Sequence, residues 1–364
     1  MGRTGITFFQ TCMITMMSIG LMNHVIVIPL LLSASGRDAW IAVIASALPY
    51  LLWLAMLYAI IRITHRQPMI SIIGTVCGKW GMRLAGIVFS VYLLLQCIVT
   101  MRDTINWMHL SFAPNTPMVV LAFVFGALCF INAHAGIKSI AMTSGIFLPF
   151  VVLFGFFVMS ANFQHKDYAY LKPFLADGLQ PLWPGMVFAG AGFTETIVLL
   201  FIQHHVRGKV TYPRLALLAI ILVILTLGPT VGAIAEFGPA EAANLRYPAF
   251  EEWRLVTIGL YIEHVDFLSI YQWLTGAFIR VSILLNVLME LTGQLQQPIK
   301  WRWVGTLFVI VIALTLWQLS DIEFIRLLTL YVMPVFLIFS VLFSIFLLIV
   351  ALYARRKEKR RTEA

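Results

Sequence analysis

Apolar runs of about 20 residues recur from residue 6 to residue 353, with short polar breaks between them. That is the length an α-helix needs to cross roughly 30 Å of hydrocarbon at about 1.5 Å per residue. Lipid offers the backbone no hydrogen-bonding partner, so only helices and closed barrels can span it. Barrel strands would alternate apolar and polar positions over about ten residues. These runs are continuous, so the chain reads as an all-α polytopic membrane protein, a single membrane domain over residues 1–364. Charged residues make up only 11% of the chain, against about 25% in soluble domains, and this excludes a soluble fold.

Ten spans are expected, at about 6–33, 39–63, 84–110, 117–134, 137–161, 181–205, 213–236, 267–290, 301–319 and 325–353. Turn signals at Ser35-Gly36, Pro114 to Pro117, Gly238-Pro239 and Gln297-Pro298 separate them. With the N-terminus inside, 17 of the 25 Lys and Arg fall on the cytoplasmic side, seven fall outside, and Arg280 stays within a span. Both termini are therefore expected in the cytoplasm. One Arg precedes the first run and no small-residue cleavage site follows it, so an uncleaved first span is expected. The chain divides into five-helix halves at 6–161 and 181–353, joined by an external connection at 162–180 and followed by a basic tail at 354–364. The tail follows an apolar run directly, which assigns the net charge of +9 to anionic membrane lipid and not to nucleic acid. Residues 66–83 read as an amphipathic cytoplasmic segment, and 238–266 as short helices at the outer mouth. Cys12, Cys77, Cys97 and Cys129 form no CxxC pair, so neither a disulfide framework nor a zinc site is indicated.

Polar and ionisable residues inside a span are costly, and they mark candidate sites. Span six carries Gly185, Gly190, Gly192, Thr194, Glu195 and Thr196. Gly190 and Gly192 permit a helix to unwind and bare peptide groups for a ligand's carboxylate and ammonium, or else permit close helix packing. Glu195 beside them favours a site. Span one offers Ser18, Gly20, Asn23 and His24 ahead of Pro29. Spans one and six each open a half, the position of the broken helices in 5+5 inverted repeats of the LeuT kind, where the ligand lies between them. Arg280 in span eight needs either a counter-charge, for which Glu195 is a candidate, or an aqueous cavity to snorkel into. Ser282 and Asn286 lie near it, and span three adds Tyr92, Gln96, Asn106 and Arg102-Asp103. No HExxH, GxSxG, Walker A or dinucleotide pattern occurs, so no enzyme, metal or cofactor is expected. His204-His205, at the end of span six, reads as interfacial.

One family resemblance emerges. Its most specific part is Tyr247-Pro248, Glu251 and Arg254, then Gly259 and Glu263, then Asp266, Ile270, Trp273, Phe278, Arg280 and Ser282. With residues 10–29 and 190–195, this pattern resembles the B subunits of spore germinant receptors, the endospore germination permeases of the amino acid–polyamine–organocation transporter superfamily. His264 stands where that family commonly has Arg. Span one lacks the doubled glycine of active amino-acid transporters, which counts against transport. The resemblance implies a transporter-like fold used as a sensor in the spore inner membrane, binding a nutrient such as an amino acid. It further implies a larger A subunit and a lipoprotein C subunit as partners. Carried over by position, the site lies between Ser18, Gly20 and Asn23 of span one and Phe188, Gly190, Gly192, Thr194 and Glu195 of span six. Ser282 and Asn286 of span eight complete its wall. The competing expectation is a secondary amino-acid transporter coupled to H⁺ or Na⁺, with Glu195 carrying the proton.

Overall fold

The structure is a computed structural model that describes residues 5–257, 264–293 and 301–363. Gly259, Glu263, the Gln297-Pro298 turn and Lys300 lie outside the described residues. Among the described residues, seven helical stretches are long and apolar enough to cross a membrane. The first of them, Phe8–Ile63, is folded back on itself. α1 (Phe8–Leu21), a π-helical turn (Met22–Val27) and α2 (Ile28–Ser35) run one way, and α3 (Ala39–Ile63) returns. Gly36 makes the reversal at φ 51°, ψ −127°, a conformation that a Cβ would oppose. Contacts to the other half of the chain fix the directions. Ile6–Thr7 (β1) pairs in parallel with Val206–Arg207 (β2), and the Thr64 hydroxyl lies 3.3 Å from Gln203 Oε1. Ser35 Oγ, by contrast, donates to the Pro181 carbonyl at 2.6 Å. Residues 6, 64 and 203–207 therefore share one end of the bundle, and residues 35 and 181 share the other.

α4 (Met69–Ser111) is two helices meeting at a kink, in keeping with the two segments that the sequence suggested were separate. The expected amphipathic piece is its first turns, which bury Met69, Ile72 and Ile73, and Gly78 interrupts the helix at φ 73°, ψ −176°. α5 (Met118–His134) and α6 (Ile137–Ala161) form a tight antiparallel pair. α7 (Leu182–Phe193), a 3₁₀ turn (Thr194–Ile197) and α8 (Val198–Ile202) make up the stretch predicted as span six, and α9 (Tyr212–Phe237) follows. Two short helices, α10 (Pro239–Ala242) and α11 (Pro248–Arg254), occupy the connection predicted to carry them. α12 (Leu268–Leu291), α13 (Trp301–Thr315), α14 (Asp321–Leu327), a second π turn (Leu328–Val332) and α15 (Met333–Glu363) complete the chain. α5 and α13 are apolar but shorter, at 17 and 15 residues.

α12 is the axis of the bundle, packed by α1, α4, α5 and α6. Every residue from 279 to 289 is buried, so this part of the helix has no face for lipid or water. α6 is the opposite case, exposing Met142, Ile146, Phe150 and Leu153 in one stripe at helical spacing. Such a stripe suits hydrocarbon or another apolar surface, not water.

Candidate ligand site

The site begins with a charge that cannot reach solvent. Arg280 is 0% exposed, within the wholly buried stretch 279–289 of α12. A guanidinium offers five N–H donors in a rigid fork, and each one left unmet in this environment would be costly. All five are met. Nε donates to Thr100 Oγ1 at 2.7 Å, and Nη2 donates to Gln96 Oε1 at 2.8 Å and to Glu195 Oε1 at 2.5 Å. Nη1 donates to Glu195 Oε2 and to the Ser18 carbonyl, the latter at 3.3 Å. The pair is a bidentate Arg–carboxylate fork, the strongest geometry available to these two groups. It joins α1, α4, the 3₁₀ turn and α12 at a single point.

Local sequence explains why the joint falls there. Thr194 and Thr196 donate their hydroxyls to the carbonyls of Ala191 and Phe193, three residues back, which favours the tighter 3₁₀ spacing. Thr196 Oγ1 also lies 2.8 Å from the Tyr50 hydroxyl on α3. In span one, Pro29 has no N–H to offer the carbonyl four residues back, and the helix widens to a π turn just before it. Asn23 sits in that π turn and donates Nδ2 to Thr226 Oγ1 on α9 at 3.0 Å.

The glycines play a different part from the unwinding that was expected. α7 stays α-helical through both, and the departure comes only at Thr194, whose N–H is bonded back to the carbonyls of Gly190 and Gly192. Gly192 is a packing position: a Cβ there would meet Asn23 Oδ1 at 1.5 Å. A Cβ on Gly190 would meet Leu337 of α15 at 3.3 Å, while one on Gly20 would meet nothing within 4 Å. No peptide group in α7 is bared for a ligand, because helix contact uses the space that unwinding would have opened.

The predicted residues thus divide into two groups. Ser18, through its carbonyl, and Glu195 meet at Arg280, and Asn23 meets Gly192 one turn away. Phe188 and Thr194 are buried beside them in α7 and the 3₁₀ turn. Ser282 and Asn286 do not join this group. Ser282 is two residues from Arg280, about 200° around the helix, and its hydroxyl accepts from Asn132 Nδ2 at 3.2 Å. Asn286, one turn further along that face, donates to the Ala133 carbonyl at 2.8 Å. Both tie α12 to α5. Thr100 and Tyr50 complete the site although the sequence had not singled them out. Next to the ion pair is a void of about 20 Å³, lined by Thr15, Ser18, Glu195, Thr196 and apolar neighbours. That is room for about one water molecule, far below the roughly 300 Å³ of a small-ligand pocket. The site is closed in this conformation.

A second polar network lies at the bundle end that holds Ser35 and Pro181. Arg246 donates to Asp103 Oδ1 at 2.6 Å and to Asp321 Oδ2 at 2.8 Å, and Asn106 Nδ2 lies 3.4 Å from Asp321. Arg102 caps the chain after α13, reaching the Leu319 carbonyl at 2.5 Å. Span three's polar residues therefore serve two sites: Gln96 joins the central ion pair, while Arg102, Asp103 and Asn106 hold loops at this end of the bundle.

Helices made for hydrocarbon, with an ion pair sealed where four elements meet, define a polytopic membrane protein with a buried polar joint at its core. The family described as spore germination protein matches residues 6–323. Spore germination protein XB of Bacillus anthracis is 40% identical over 97% of this chain and 99% of its own length. Spore germination protein KB of Bacillus subtilis (strain 168) is 22% identical over 91% of each chain. Spore germination protein A2 of the same organism is 23% identical over 67% of this chain and 68% of its own. The chain belongs to the spore germination protein family.

Proposed function

We propose that this chain is the nutrient-sensing membrane subunit of a spore germination receptor, and that its ligand acts at the Glu195–Arg280 pair. The observation that carries this reading is the closed fork itself. Arg280 holds a carboxylate in two-point geometry, and Glu195 is an internal carboxylate filling that place. An α-amino acid carries both charges needed to part them, a carboxylate for Arg280 and an ammonium for Glu195. Its entry would trade one ion pair for two, and would require α1, the 3₁₀ turn and α12 to separate. A ligand shifts such an equilibrium only by its differential affinity for the two arrangements. The closed state has no room for it, so the preference for an open state is built in.

The reading extends to architecture. Counting Phe8–Ile63 as two crossings, and α5 and α13 as short ones, brings the seven long stretches to ten spans. The non-α turns in spans one and six are the features that support a LeuT-like 5+5 repeat. The subunit would lie in the spore inner membrane with both termini cytoplasmic, signalling to A and C partner subunits without catalysing a reaction. A secondary transporter coupled to H⁺ or Na⁺ is the second reading, favoured by the placement of an ionisable Glu195 in a crossing element.

The test is thermal stabilisation of the purified chain across a panel of amino acids, sugars and nucleosides, since selective binding raises apparent stability by mass action. One amino acid is expected to stabilise the protein, and Glu195→Gln and Arg280→Met are expected to abolish that response. Full retention of the response in both folded variants would move the ligand elsewhere. Concentrative, gradient-dependent uptake of the same amino acid into proteoliposomes would establish the transporter reading in place of the sensor.

A further inference from the structure

At the β1–β2 end of the bundle, the chain brings together three metal-ligating side chains that the central site does not use. His204 and His205 form the 3₁₀ turn Gln203–His205 after α8, and Glu290 is in the last turn of α12. His204 Nε2 lies 2.7 Å from Glu290 Oε1, and His205 Nε2 lies 3.2 Å from Glu290 Oε2. One ligand atom from each of the three residues fits within 4.8 Å of the other two. The two imidazole rings lie 3.9 Å apart, so both outer nitrogens are directed to the same carboxylate.

We propose that His204, His205 and Glu290 form a binding site for a borderline divalent cation such as Zn²⁺. Two imidazoles and a carboxylate are a recurrent three-ligand set for zinc, leaving a fourth position for water. Bonds of about 2.0–2.2 Å in tetrahedral geometry place neighbouring ligand atoms roughly 3.3 Å apart; the two Nε2–carboxylate distances here are 2.7 and 3.2 Å. The side chains are 17%, 29% and 32% exposed, which leaves a path for an ion to enter. Imidazole ligands select Zn²⁺, Ni²⁺, Co²⁺ and Cu²⁺ over Mg²⁺ and Ca²⁺. His204 Nδ1 has no hydrogen-bond partner among the described residues, so it can take the ring proton when Nε2 turns to the metal. The sequence reading of this histidine pair as interfacial lacked the third ligand, which is 85 residues away.

The position gives the site a consequence. His205 lies ten residues beyond Glu195 and Glu290 ten beyond Arg280, the latter about 15 Å along α12. An ion here clips together the ends of the two elements whose midpoints hold the ion pair. The proposal stands whether or not a nutrient acts at that pair.

Zn²⁺ titration of the full-length chain tests it, using detergent-solubilised protein carrying no polyhistidine tag and stripped with chelator. One saturable Zn²⁺ per chain is expected by calorimetry, with a rise in Tm that EDTA reverses and no response to Ca²⁺ or Mg²⁺. His204→Ala and Glu290→Gln are expected to weaken Zn²⁺ binding at least tenfold. Absence of saturable binding, or unchanged affinity in both variants, overturns the proposal. If the variants fail to fold, the X-ray absorption spectrum of Zn²⁺-loaded wild-type protein decides: imidazole scattering supports the site, and its absence overturns it.

Discussion

Glu195 and Arg280 are buried together, and each supplies the polar partner that water cannot. Removing one partner of a buried pair leaves an uncompensated group, at a cost of about 3–5 kcal/mol. Glu195→Gln and Arg280→Met are each expected to destabilise the protein on that scale. The double variant should lose much less than the two losses combined, because no orphaned charge remains. Unfolding of all four proteins in detergent closes the cycle, and simple additivity would mean that the fork carries no coupling. Both ionisable residues are legible in the sequence, since a charge inside an apolar run stands out. Thr100 is not. Its hydroxyl donates to the Gln96 carbonyl at 2.8 Å, as helical threonines commonly do. Only the fold reveals that the same oxygen accepts from Arg280 Nε. Ser18 was singled out as a polar residue, yet what meets Arg280 is its carbonyl, which any residue possesses.

At the scale of elements, the crossings were legible and their irregularities only partly so. Hydrophobic run length predicts α3 and α6 with the observed bounds, 39–63 and 137–161. Proline marks where a helix is stressed but not how it responds. Pro29 and Pro334 each follow a π turn, whereas Pro49, Pro149 and Pro229 lie within continuous helices. Gly192 was ambiguous because packing and unwinding demand the same missing Cβ. The neighbouring helix decides it. Gly192→Ala should therefore destabilise the protein by about 1–3 kcal/mol, the usual cost of overpacking. Adding Asn23→Ala should restore most of that in a thermal melt, and a wild-type Tm for Gly192→Ala alone would refute the close approach. α11 docks in a similar way: a Cβ on Gly232 of α9 would lie 2.9 Å from Glu252 Oε1. Burial raises the Glu252 carboxyl well above its usual range, the Glu236 carboxylate raises it further, and Lys166 opposes them. The folded chain thus keeps a proton that the unfolded chain releases near pH 4.3. Stability should fall as pH rises from there toward the raised value, by up to about 1.4 kcal/mol per pH unit. Glu252→Gln should flatten that part of the Tm–pH profile and melt higher at its upper end. Parallel profiles for the two proteins would show that Glu252 does not titrate as argued.

For the whole molecule, the membrane is the strongest organiser, which is why the fold class was legible before any contact was known. Loop contacts sort the chain into two ends. One gathers Ile6, Thr64, Val206 and the start of α4, where Lys357 of α15 reaches the Thr75 carbonyl at 3.2 Å. The other gathers Asp38 with Leu175, Asp167 with Ala235, and Arg246 with Asp103 and Asp321. This division matches the charge asymmetry, with Arg62, Arg66, Lys79 and the basic tail at the first end. Positive residues in short loops are retained in the cytoplasm, which predicts that the first end faces inward. Cys77 makes this testable. It is exposed beside the Gly78 break at the basic end, while Cys97 and Cys129 are buried and Cys12 is partly covered. A membrane-impermeant maleimide should label the protein in inside-out vesicles and leave it unlabelled in right-side-out ones. Cys77→Ser should abolish the signal in both. Labelling confined to right-side-out vesicles would invert the molecule, placing the histidine–glutamate cluster outside and the Arg246 network within. The Glu195–Arg280 pair, held midway along its two helices, would be unaffected by that inversion, so orientation and the central site are independent claims.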